Sequence, residues 1–275
     1  MLLPIFRYQF IQNAFIASVL ASIVCGIIGV IIVEKKLVMM SGGIAHTSYG
    51  GVGLGYLLGF EPIFGAFFIS VAAALGIGYI KRNGGTRTDV VIGLFWSLGM
   101  ALGILFIALM PGYPPDMSSY LFGSILSVTT TDLYLIAILT LIVVFVVCAL
   151  FQYWKSYLFD DEFATITGMK TAFMEYLLFA LIAMSVVVLI RVVGIILVLA
   201  LFTAPTAVAG LFSKSLKGRM ILSILIGNFF CLTGLWVSYV VNIPSGAVIV
   251  ILSTVSYLLL YLIGATRKKG KRTNE

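Results

Sequence analysis

The side chain with the clearest chemical potential in this sequence is His46, the single histidine of the chain. It sits among Met39, Met40, Ser41, Gly42, Gly43, Thr47, Ser48 and Tyr49. Imidazole nitrogen, thioether sulfur and hydroxyl oxygen form a donor set suited to a transition metal in passage. His46 with Ser41, Met40 and Tyr49 is therefore one candidate lining of a metal path. A histidine hydrogen-bonded between two helices accounts for the same residues, and the sequence alone leaves the two readings level.

A second segment, residues 155–170, carries chemistry of another kind. Asp160, Asp161 and Glu162 open a short helix-like stretch, where acidic side chains favour the positive end of the helix dipole. Phe159, Phe163, Ile166 and Met169 follow at spacings of three and four residues, which puts them on one apolar face. Gly168 ends the stretch. A short amphipathic helix of this type suits a groove in a partner protein. A helix lying flat on lipid usually carries more basic residues on its polar face.

The elements that must position these groups follow from composition. Hydrophobic residues make up 61% of the chain and charged residues 10%, and mean hydropathy is +1.17. A soluble domain carries about 25% charged residues, so most of this surface must face lipid. The expected fold class is all-α: a single polytopic transmembrane bundle over residues 1–275, with a basic tail at 267–275. Apolar runs of bilayer length fall at about 14–33, 37–59, 64–80, 89–109, 132–152, 172–190, 193–211, 221–241 and 246–264. As one helix, residues 174–211 would be roughly 57 Å long, about twice a bilayer. They must be two crossings, with Arg191 and Gly194 as the hinge. Gly42-Gly43 could interrupt the second span and free carbonyls towards a pore, while Gly51 and Gly55 form a small-xxx-small face for close helix packing.

Basic residues orient the nine spans. With the N-terminus outside and the C-terminus inside, Lys35, Lys36, Lys81, Arg82, Arg87, Lys155, Lys170, Lys214, Lys217, Arg219, Arg267, Lys268, Lys269, Lys271 and Arg272 are cytoplasmic. Only Arg7 and Arg191 remain outside. The net charge of +7 thus reflects orientation rather than nucleic-acid binding. His46 falls roughly 15 Å into the bilayer, where an ionisable group is costly and is by default a functional candidate. Glu61-Pro62 reads as a tight outer turn. Residues 111–116 read as a rigid outer loop, and 120–128 as a stub too short to cross. The first span runs about 20 residues into Glu34-Lys35-Lys36, so it is expected to be retained rather than cleaved as a signal. Cys25, Cys148 and Cys231 lie in apolar runs and read as small buried hydrophobes.

Enzymatic classes find no support. The sequence has no phosphate-binding loop, no zinc-protease motif and no nucleophile beside a histidine. It also lacks the run of intramembrane acids that proton-coupled transporters often use.

Six motifs, in order along nearly the whole chain, resemble the permease subunits of bacterial ATP-binding-cassette importers for zinc, manganese and related divalent metals. They are SGGIAHTSYGGVGLGYLLG, TDVVIGLFWSLGMALGILFI, SYLFGSILSVTTTDL, FDDEFATITGM, RVVGIILVLALFTAPTAVAGLF and SYVVNIPSGAVIVILS. The resemblance implies a permease in the bacterial plasma membrane that binds no cofactor and carries a divalent metal. It implies separate ATPase subunits, an extracellular metal-binding protein, and a homodimer or a sister permease. Within it, His46 lines the metal path. Asp160, Asp161, Glu162, Phe163 and Met169 belong to the segment, about 156–170, that couples to the ATPase. Two positions depart from the pattern. The aspartate four residues before the histidine is Gly42 here, and Asn242 stands where an aspartate often precedes proline-serine-glycine. Both changes remove negative charge. A secondary transporter or channel is the alternative reading, and a membrane-embedded enzyme or assembly protein the more distant one.

Overall fold

A backbone in hydrocarbon must satisfy its own hydrogen bonds, so a chain this apolar has helices or a closed barrel open to it. The computed structural model describes residues 8–83, 87–112, 123 and 125–272, with side chains to residue 263. Among these, every regular element is helical. The order is α1 (Gln9–Glu34), α2 (Val38–Leu58), α3 (Pro62–Asn83), α4 (Thr88–Ala108) and a single 3-10 turn (Ile125–Ser127). It continues with α5 (Thr130–Ala149), α6 (Phe151–Phe159), α7 (Asp161–Ile166), α8 (Thr171–Val193), α9 (Ile195–Phe212), α10 (Leu216–Val241) and α11 (Ser245–Arg272).

Eight of these helices are long and apolar enough to cross a membrane. The ninth predicted span, α2, has the length but is diluted by six glycines, two serines, a threonine and His46. It tolerates that composition because protein surrounds it. It packs along α3 and α4 and touches α8 and α9. The interruption that Gly42-Gly43 could have made does not occur, and α2 is continuous from Val38 to Leu58. Neighbouring helices supply the close packing that glycine permits, so no carbonyl need be freed. The 174–211 stretch is two helices, separated by the single residue Gly194 at φ +83°. Glycine adopts that backbone conformation at little cost.

Charged side chains sort to the two ends. Glu34 pairs with Arg219, Lys35 with Asp161, and Lys81 and Arg82 with Glu175. These residues lie at the ends of α1, α3, α7, α8 and α10 assigned to the cytoplasm. Arg191 pairs with Glu61 and Asp132, at the three helix ends assigned to the outside. Packing agrees with alternating direction. Gly26 and Ser22 of α1 meet Ile224 and Gly227 of α10 in antiparallel order. Gly43, Gly50 and Gly53 of α2 meet Ile92, Gly99 and Gly103 of α4 in parallel order. The predicted outer loop at 111–116 and stub at 120–128 lie largely outside the described residues. Of that region, Ile125 and Val128 are buried, and Val128 accepts a hydrogen bond from Asn13 Nδ2.

The candidate metal path and the coupling surface

Helix α2 packs closely on two sides, against α3 and against α4. There glycine lets backbone meet backbone. A methyl on Gly51 would lie 2.2 Å from the Gly65 carbonyl oxygen of α3, and one on Gly53 would lie 2.7 Å from the Gly103 oxygen of α4. Thr47 joins this seam by donating to the Gly43 and Phe95 carbonyls at 2.7 and 3.0 Å. The seam fixes the rotation of α2, and so the direction in which His46 points.

His46 lies on the α4 side, partly buried, about 12 Å along a helix of roughly 30 Å. Its ring stacks on Trp96 of α4, with centroids 4.2 Å apart and planes 8° from parallel. Its Nδ1 is buried and has no hydrogen-bond partner among the described residues. The stack orients the imidazole while leaving Nδ1 unspent. That is unlike a histidine held between helices by hydrogen bonds. Gly42, one turn earlier, leaves space: a methyl there would meet Trp96 and Leu199 at 3.7–3.9 Å, an ordinary contact.

At about 100° per residue the other predicted lining residues divide. Tyr49 lies about 60° from His46 around the helix and packs against Gly103 of α4. Met40 and Ser41 lie about 120° and 140° away. Met40 is fully buried in the core, and the Ser41 hydroxyl donates to the Val38 carbonyl at 2.8 Å. Met39 shares the His46 face and is 55% exposed. The helical period could have selected Met39 over Met40. Trp96 has no such signal, because it comes from another helix. Among the described residues no group of three or more His, Cys, Asp or Glu is placed to hold a metal.

The predicted amphipathic segment is two short helices, α6 and α7. Asp160 caps α7, its carboxylate accepting from the Phe163 amide at 3.0 Å, and Gly168 closes the turn at φ +86°. Phe159, Phe163 and Ile166 are 91%, 62% and 82% exposed, an apolar strip left uncovered among the described residues. Glu162 is exposed beside it. Met169 departs from the strip and packs partly against the core.

Beneath this strip lies a junction that the sequence did not reveal. Lys35, in the turn between α1 and α2, reaches Asp161 of α7 at 3.4 Å. Its ammonium stands over the ring of Tyr157 of α6, 3.8 Å from the centroid. Burial lowers the Lys35 pKa, with Asp161 partly offsetting that loss of hydration. Burial also raises the Tyr157 phenol, reinforced by the carboxylates of Glu175 and Asp161. At the outer end, Arg191 Nε donates to Asp132 and Nη1 to Glu61, both at 2.6 Å. Asp132 also completes the capping box of α5 with Thr129. One guanidinium therefore joins the outer ends of α3, α5 and α8.

A membrane bundle with a lone half-buried histidine and an uncovered cytoplasmic apolar strip describes a transport subunit better than a self-contained pump. Residues 7–264 match the ABC 3 transport family. The chain belongs to that family. It is 41% identical to an uncharacterized membrane protein of Synechocystis, over 92% of this chain and 90% of that one. It is 32% identical to the manganese transport system membrane protein MntC of Listeria monocytogenes, over 93% and 91%. It is also 32% identical to the manganese import system permease protein ScaB of Streptococcus parasanguinis, over 96% and 94%. Among solved structures, PsaBC from Streptococcus pneumoniae in complex with Fab matches with a TM-score of 0.83 at 31% identity, covering 93% of this chain and 92% of that one. This ABC 3 chain is thus a multi-pass membrane permease of a transport family.

Proposed function

We propose that this chain is the membrane subunit of an ATP-driven importer for a divalent transition metal, with manganese favoured over zinc or iron. Relatives named for manganese transport, at 32% identity over almost the whole chain, support the choice of metal. The observation that carries the reading is His46, stacked on Trp96 with its buried Nδ1 unpartnered. In a bilayer such a nitrogen is costly to leave idle, and it is a ready ligand for a passing ion. Gly42 supplies no carboxylate beside it, so the ion is held weakly and released quickly, as conduction requires.

His46 is incompletely covered within one chain and Met39 on the same face is exposed, which supports a path completed by a second copy or a sister permease. The α6–α7 strip is the docking surface for an ATPase subunit, with Phe159, Phe163 and Ile166 entering a groove and Asp160, Asp161 and Glu162 at its rim. An extracellular metal-binding protein delivers the ion to the outer end.

The test is accumulation of radiolabelled Mn²⁺ and Zn²⁺ in cells with matched amounts of assembled complex. His46→Ala should lower uptake about tenfold or more, the scale of losing a metal contact. His46→Gln keeps hydrogen-bonding reach but not imidazole basicity, and should also fail to transport. Full uptake with His46→Gln would make the histidine a packing residue and remove it from the path.

A further inference from the structure

The metal path and the ATPase docking strip lie on different helices, so something must connect them. The connection has a specific geometry at the α1–α2 turn. The Lys36 amide donates to the Val33 carbonyl and the Leu37 amide to the Ile32 carbonyl, the paired bonds of a Schellman motif. Lys36 takes the left-handed position at φ +57°, where glycine is usual and a side chain costs about 1–2 kcal/mol. Leu37 is 7% exposed, and the Lys35 side chain is 16% exposed. The turn is therefore a stiff corner, anchored by buried Leu37. Helix α2 starts one residue later, and His46 lies two turns along it.

Of the acids at the start of α7, Asp160 is occupied as the helix cap and Glu162 is exposed to solvent. Asp161 is the one that leaves the segment, and its partner is Lys35. Among the described residues this is the ion pair that joins α7 to another element. Tyr157, 3% exposed, lies beneath the ammonium as a second contact from α6. Glu175 is already engaged by Lys81 and Arg82 at 2.6 and 2.8 Å, so it does not compete for Lys35.

We propose that Lys35 is a positioning residue that couples the ATPase docking segment to α2, transmitting movement of α6–α7 through the rigid 35–37 corner to the His46 face. A single charge contact suffices for this because both ends are stiff. Asp161 is in the first turn of a capped helix, and Lys35 is in a corner whose backbone amides are bonded. The proposal rests on the reading of α6–α7 as the ATPase docking surface.

The experiment uses the whole permease–ATPase complex with its binding protein, reconstituted in proteoliposomes, and reads Mn²⁺ moved per ATP hydrolysed alongside the amount of assembled complex. Lys35→Met should leave assembly and ATP hydrolysis in place while the Mn²⁺-to-ATP ratio falls about fivefold, within the range expected when a coupling contact is lost. Lys35→Glu should show the same loss, Asp161→Lys, at the docking rim, should lower assembly and the ratio together, and the double variant Lys35→Glu/Asp161→Lys should recover at least half of the ratio. An unchanged ratio in Lys35→Met overturns the proposal. So does a double variant no better than the worse single one, or a loss of assembled complex with the ratio intact. Phe163→Asp run in parallel separates the two readings. Full assembly and transport in that variant would sink the docking surface itself, whereas a defective Phe163→Asp beside a normal Lys35→Met would sink only the role of Lys35.

Discussion

The two faces of α2 use glycine for opposite ends. At Gly51 the absent side chain lets α3 approach until an added methyl would be 2.2 Å from a backbone oxygen. At Gly42 the nearest atoms to such a methyl are the tips of Trp96 and Leu199, at 3.7 and 3.8 Å. The first glycine is a packing requirement, and the second leaves unused room beside an imidazole. Association of helices in lipid lacks the hydrophobic drive available in water and depends on close packing. The contacts of Gly51 with α3 and of Gly50 and Gly53 with α4 therefore hold α2 in place, while the space beside Gly42 and His46 leaves room to meet an ion. Position in the bundle, not residue type, decides which role a glycine plays.

The strongest way to break this comparison is at the seam. Gly51→Ala must push α2 and α3 apart, because the obstructing atoms are the backbone of Gly65 and Ala66 and cannot rotate away. Overpacking of this kind costs about 1–3 kcal/mol, and the cost is paid by the element that aims His46. The expected outcome is a marked fall in folded permease recovered from membranes and in its melting temperature, with uptake falling in proportion. Thermal-stability measurements on detergent-solubilised protein check it. A Gly51→Ala variant as stable as the parent would show that the seam has slack.

These different faces were unevenly legible in the sequence. Eight of the nine expected spans could be read because lipid imposes length and charge sidedness on a crossing helix, and both are properties of a single segment. The α6–α7 strip was legible for a similar reason, since its apolar spacing and capping acids are local. Trp96, Lys35 and the Arg191 bridge to Glu61 and Asp132 were not. Each lies 50 or more residues from a partner, and pairing between helices leaves no periodic trace. The absence of an interruption at Gly42-Gly43 was not legible for the same reason. Local composition suggested a weak helix, while contacts with Ile92 and the parallel run of α4 hold it continuous.

A smaller effect is expected across the stack. Trp96 offers His46 a flat surface at 4.2 Å, and an aromatic pair contributes about 0.5–1.5 kcal/mol beyond its buried area. Trp96→Leu keeps an apolar residue but removes the plane, so the imidazole should sample several orientations. Uptake of Mn²⁺ should fall by about two- to tenfold, following that energy, at an unchanged amount of complex. Trp96→Phe should retain most of the transport. If both variants transport normally, the stack does not orient the ligand.

The smallest effect on the fold, and the sharpest on specificity, is expected at Gly42. Gly42→Ala adds a methyl into ordinary contact distance and replaces a poor helix former by the best one, a gain of about 1 kcal/mol in an open helix site. Its folded amount and uptake should match the parent, in contrast to Gly51→Ala nine residues away on the same helix. Gly42→Asp asks a different question of the same space. Residues i and i+4 share a helix face, so the carboxylate would stand one turn from the unpartnered Nδ1 and add a hard oxygen donor to it. A charge in the span costs about 2.5–3.5 kcal/mol near the centre of a bilayer, unless a cation neutralises it. The Asp variant should therefore be recovered poorly from metal-depleted cells and at parental levels when Mn²⁺ is supplied. Once purified, it should retain Mn²⁺ that the parent releases on washing. Tighter holding slows release, so its uptake at saturating metal should drop even as less Mn²⁺ is needed for half-maximal rate. Metal content of the washed complex and the concentration dependence of uptake measure both halves. A Gly42→Asp variant whose recovery and metal content ignore Mn²⁺ would mean that the ion does not pass this face of α2.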